Sequence, residues 1–236
     1  MAIARLARVS FVLLLLGSSA GVALFSEGAA FGQFRPVGET RTLQVLATFE
    51  SVPFGSLTSS QQQTAPPFGL FDVQIGLGQG PAHPGFATPT ARQTSSLAAD
   101  QRTLHVTAAI DANAAILDQP EEDEPRTFAS AHASAEITFT VDRVRLATLS
   151  GTLAATTFAS SEAQLLDCPA PGSANADCAI LIDVPASADL PVTIKVTPHR
   201  NYRLRFLAGG SAAASFERPF HASMASFDLS FDAVGP

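Results

Sequence analysis

Ala129-Ser130-Ala131-His132-Ala133-Ser134-Ala135-Glu136-Ile137-Thr138-Phe139-Thr140-Val141 decides the fold. Its odd positions are all apolar and its even positions all polar, a period of two that belongs to a β-strand with one buried and one wet face. The same alternation runs through Leu43, Val45, Ala47 and Phe49, through Phe71, Val73, Ile75 and Leu77, and through Leu104, Val106, Ala108 and Ile110. Further strands are expected over Val144 to Phe158, Ala179 to Val184, Val192 to Val196, Tyr202 to Leu207, Ala212 to Phe216 and Ala222 to Asp232. Helical periodicity of any length is missing.

Between these stretches, Pro53 to Gly69, Gly78 to Thr94 and Asp118 to Pro125 are rich in Pro, Gly, Gln, Ser or acidic residues and read as loops. About ten short strands so connected predict an all-β fold, an antiparallel Greek-key or jelly-roll β-sandwich. Phe128-Ala129-Ser130-Ala131-His132-Ala133-Ser134-Ala135 rhymes with Phe220-His221-Ala222-Ser223-Met224-Ala225-Ser226-Phe227. The expectation is two strands with small side chains placed where the sheets approach closely, not an internal repeat.

The N-terminus carries a second signal. Arg5 and Arg8 precede the apolar run Phe11 to Leu16, and small residues follow from Gly17 to Ala20. This is the build of a secretory signal peptide. Cleavage sites of the small-x-small kind lie after Ala20, Ala23 and Ala30, and the run is short for a bilayer span of roughly 20 residues. The expected organisation is a signal peptide over 1–30, a linker over 31–41 and one β-sandwich domain over 42–236, with no membrane span in the mature protein. The expected location is outside the cytoplasm: extracellular, cell surface or periplasmic.

Composition narrows the partners. The 236 residues carry a formal net charge of −7, which disfavours nucleic acid and other polyanions. Charged residues are 15% of the chain, against about a quarter in an ordinary soluble domain, so the surface is polar mainly through hydroxyls. The two cysteines, Cys168 and Cys178, flank a Pro/Gly/Asn-rich loop and read, in an exported chain, as a structural disulfide.

Candidate sites are sparse. Asp118, Glu121, Glu122, Asp123 and Glu124 concentrate carboxylates that suit calcium, with Asp111 and Asn113 upstream as further oxygen ligands. Their run lacks the alternating spacing and turn glycine of a calcium loop, so the expected state is a solvated acidic loop with no cofactor. Glu50 and Glu136, on polar strand faces, are the carboxylates to test for glycoside hydrolysis. His132 and His221 share a local sequence but lack a metal-site spacing. No Gly-x-Ser-x-Gly motif is present. Phe54, Phe68 and Phe86 lie in the expected loops, as plugs over the sandwich ends or an apolar rim for a ligand.

Val196-Thr197-Pro198-His199-Arg200-Asn201-Tyr202, leading into an alternating strand, resembles the tyrosine corner of fibronectin type III and related Greek-key sandwiches. The resemblance covers about a dozen residues and lacks the usual glycine after the proline. It implies structural roles for Tyr202 and Pro198, with the tyrosine hydroxyl bonded to upstream backbone. The export signal, the Ala/Ser-striped strands and the ending Ser226-Phe227-Asp228-Leu229-Ser230-Phe231-Asp232 are also similar in style to secreted bacterial proteins of the exosortase-sorted kind, without their sorting tail. The expected function is a non-enzymatic exported protein with a surface, matrix or accessory interaction role and an unknown surface or matrix component as partner. The alternative is an extracellular ligand-binding module, carbohydrate or calcium dependent, and after it a hydrolase.

Overall fold

The computed structural model describes residues 34–51, 55–66, 70–78, 85–97, 103–117, 126–186, 188–215 and 217–234. The signal peptide expected over 1–30, the acidic run over 118–125, Phe54 and Phe68 lie outside them. The described chain is all-β, with twelve strands: β1 (Phe34–Ser51), β2 (Gly55–Thr64), β3 (Phe71–Gly76), β4 (Gly85–Leu97), β5 (Thr103–Ile116), β6 (Arg126–Val141), β7 (Arg145–Ala155), β8 (Ala159–Cys168), β9 (Ala179–Pro185), β10 (Val192–Val196), β11 (Asn201–Ala214) and β12 (Phe220–Val234). They form two antiparallel six-stranded sheets, sheet A in the order β2-β1-β6-β11-β8-β9 and sheet B in the order β10-β7-β12-β5-β4-β3. From β5 onward every connection except the β8–β9 hairpin passes from one sheet to the other.

The alternation in β6 places Ala129, Ala131, Ala133 and Ala135 wholly inside, at 1% exposure or less. Small residues there let the sheets close around larger ones from the opposite side. The same complementarity operates one strand over, where the Ile110 side chain of β5 comes down on Gly210 of β11. A Cβ at Gly210 would stand 2.8 Å from the Ile110 Cδ1. Toward one end of the core, Phe139 lies 5.5 Å from Tyr202 and 5.3 Å from Phe231 between ring centroids, contacts worth about 0.5–1.5 kcal/mol each beyond burial.

Several expected boundaries move. Residues 34–41, expected as linker, are the first half of β1. Within them Arg41 is 2% exposed and ion-paired with Glu39. Its guanidinium also donates to the Ser95 Oγ at 2.6 Å and the Pro66 carbonyl at 3.1 Å. Burial pushes Arg41 below its ordinary pKa, and the Glu39 carboxylate opposes the shift.

The expected loops at 53–69 and 78–94 contain β2 and most of β4. β2 is exposed on both faces, and β4 buries only Ala, Gln and Ser at most of its inward positions, so neither shows an apolar stripe. β8 was not anticipated for the same reason: Ser161 and Ala163 hold two of its inward positions. Gly209-Gly210 does not divide two strands but lies in the middle of β11.

Candidate functional site

Glu50 and Glu136 both face outward on sheet A, but they do not meet. Glu50 of β1 pairs with Arg126 of β6, ten residues along that strand from Glu136. At about 3.3 Å per residue the two carboxylates are about 33 Å apart, far beyond the 5–10 Å that glycoside hydrolysis requires. His132 lies between them on the same face, packed across Gly209. His221 is in the other sheet, its ring 4.7 Å from that of Phe158.

Glu136 is engaged by arginines, with Arg203 Nε at 3.3 Å and Arg205 Nε at 3.6 Å. Arg203 is 5% exposed, although it belongs to the outer face, because the loop between β8 and β9 folds over it. Its guanidinium donates to the Ser173 carbonyl at 2.7 Å, the Pro171 carbonyl at 3.1 Å and the Asn175 Oδ1. Cys168 and Cys178 close this loop as a disulfide, with Cα atoms 4.3 Å apart. Sequence reasoning missed Arg203, because nothing local marks one strand arginine as the support of a loop thirty residues upstream.

Tyr202 is 2% exposed. Its hydroxyl accepts from the Thr197 N–H at 2.8 Å and lies 3.3 Å from the Thr197 hydroxyl. Thr197 follows the last residue of β10 in sheet B, and Tyr202 opens β11 in sheet A, so this contact ties the chain where it turns between sheets. Pro198 and His199 form the turn, with His199 at φ 64°.

The outer face of sheet B has a different shape. Two adjacent cross-strand rows form a trough of about 590 Å³. The first row is Gln74, Arg92, Ala109, Ser226 and Ala154, paired in that order across β3, β4, β5, β12 and β7. The second contains Thr90, Asp111 and Met224. Three consecutive small side chains, Ala109, Ser226 and Ala154, make the floor low, and the longer residues on either side make the walls.

The walls are held from beneath and beside. Asp111 accepts from the Asn113 amide at 2.7 Å, and Arg92 stands 3.6 Å from Asp72. Thr156 closes the far end, its Oγ1 accepting from the Met224 N–H at 2.8 Å. Further along the face, the His105 ring is 2.8 Å from Asp228.

Asp111 therefore lines the trough, and Asn113 stands beside it as its hydrogen-bond donor. Among the described residues no group of three or more His, Cys, Asp or Glu is placed to hold a metal ion. Phe86, expected in a loop, is half-buried in β4. No described helix is long and apolar enough to cross a membrane.

No family model matches this chain, and no curated protein matches it. Among solved structures it is similar to part of a family GH31 α-xylosidase from Xanthomonas citri, at 10% identity and a TM-score of 0.20, over 87% of this chain and 28% of that one. The chain spans little more than a quarter of that enzyme's length, and a likeness of this size assigns neither fold nor activity.

Proposed function

We propose that this chain is an exported, non-enzymatic β-sandwich with a surface, matrix or accessory interaction role, and that it holds its ligand in the trough on sheet B. The observation that carries the reading is the pair of cross-strand rows. Ala109 and Ala154 of the floor and Met224 beside it offer carbon surface, and the walls offer hydrogen-bonding groups from Gln74, Thr90, Arg92 and Asp111. Two of these groups have neighbours that help to position them, Asp111 through Asn113 and Arg92 beside Asp72, which lowers the ordering cost on binding.

Alternating carbon surface and hydrogen-bonding groups suits a hydroxyl-rich chain with C–H ring faces and polar edges, so a matrix polysaccharide is the favoured partner. The net negative charge points to a neutral rather than an acidic polymer. Calorimetric titration with neutral oligosaccharides, followed by mass analysis of the recovered sugar, tests the reading. Saturable binding with the sugar returned intact supports it. Cleavage of the sugar, or no heat with any of a broad neutral panel, contradicts it.

A further inference from the structure

The chain leaves sheet B at the far end of the trough, where residues 156–159 carry β7 over to β8 in sheet A. The Ala159 N–H donates to the Thr156 carbonyl at 3.1 Å, which closes a four-residue β-turn, and Phe158 in its third position has φ 65°. A positive φ at that position belongs to glycine or asparagine, because the Cβ of a larger residue crowds the backbone. His199 also has a positive φ, at 64°, but histidine is among the residues enriched in that region. For a bulky phenylalanine it is an outlier.

Burial does not offset this strain. Phe158 is 63% exposed, and its ring meets the His221 ring edge to face with centroids 4.7 Å apart. Asparagine or glycine would make the same turn without strain, so a strained aromatic left mostly in solvent points to a role beyond folding. Its place says which role. Thr156, two residues earlier, lines the trough, and so does Met224. The Met224 N–H donates to the Thr156 Oγ1 at 2.8 Å, and the Thr156 N–H donates to the Met224 carbonyl at 2.9 Å, so the turn is tied to the trough's end. Two residues span at most about 7 Å, which sets Phe158 beside that end.

We infer that Phe158 is a ligand-binding residue, whose ring stacks on a sugar ring of a neutral polysaccharide that runs along the trough and out past Thr156. The inference rests on the reading of the trough as a saccharide site. The trough crosses five strands about 4.8 Å apart, so its floor spans about 19 Å and a longer saccharide overruns it. At the β7 end such a chain meets Phe158. The C–H face of a pyranose is apolar and slightly positive, which suits the electron-rich face of a phenyl ring. The contact with His221 restricts the ring before the ligand arrives, which lowers the ordering cost.

Calorimetric titration with a series of neutral oligosaccharides, from a disaccharide to chains longer than about 19 Å, tests this on wild type, Phe158→Asn and Phe158→Tyr, with the Tm of each measured without ligand. Asparagine fits the turn without the ring, and tyrosine keeps the ring. Wild type and F158Y should bind the long chains more tightly than the disaccharide. F158N should bind the long chains about three- to tenfold more weakly than wild type does, and the disaccharide within about twofold. Its Tm should equal or exceed that of wild type, since the strain leaves with the ring. Long chains bound by F158N as by wild type, or a Tm for F158N lower by more than about 4 °C, would overturn the inference and leave the trough reading in place. A wild type that binds no chain of any length would overturn the trough reading itself, and this inference with it.

Discussion

The outer faces of the two sheets use polar side chains for opposite ends. On sheet A they are committed: Glu136 to Arg203 and Arg205, and Arg203 to the disulfide-closed loop that buries it. On sheet B, Gln74, Arg92 and Asp111 line an open trough with a low floor, and no described loop covers them. Charge and hydrogen-bonding groups of the same kinds are thus structural where a loop covers them and available where small neighbours leave space. Glu136, a carboxylate the sequence offered for catalysis, falls on the committed face.

The difference can be broken by substitution. Arg203→Ala strands two loop carbonyls and a partly buried carboxylate, and should cost about 2–4 kcal/mol in urea unfolding. A loss below 1 kcal/mol, on the order of an ordinary surface change, would show that the loop stands without it. At the same end of the molecule, Tyr202→Phe leaves the Thr197 N–H without its acceptor and should cost about 1–3 kcal/mol, with the fold retained. Unchanged stability would mean that water replaces the hydroxyl. Glu136→Gln keeps the shape and removes an ion pair that is a third exposed, so about 0.5–1 kcal/mol is expected. On sheet B, Ala154→Leu should alter stability by less than about 0.5 kcal/mol, because it adds volume only to open space. A larger loss would make the trough part of the folding core.

How far the sequence was legible follows the same physics. β6, β5 and the apolar half of β1 declared themselves because each buries one face completely, and burial writes a period of two into the chain. β2 escaped because a strand exposed on both faces has no reason to alternate. β8 and β4 escaped because their inward positions carry Ser, Gln and Ala. The Tyr202 motif was readable as a resemblance because its contact spans only five residues.

The trough was not readable at all. Ala109, Ala154 and Ser226 become one floor only through the register of β5, β7 and β12, and a small residue at an outward position carries no signal by itself. The glycine that keeps this register is Gly151, at φ 127°, where a Cβ would collide with the Asp228 carbonyl of β12. In the sequence it lay inside the strand expected over Val144 to Phe158, with nothing to mark this role.

The most direct test of the account is backbone NMR of the folded chain titrated with a neutral oligosaccharide that it binds, for wild type and Ala109→Leu/Ala154→Leu. The account predicts shift changes confined to the rows containing Thr90, Arg92, Ala109, Asp111, Ala154, Met224 and Ser226, and at least about tenfold weaker binding when the floor is filled in a variant of unchanged stability. Shift changes centred on Glu136, His132 and Arg205 of sheet A, or full affinity with the floor filled, would contradict it.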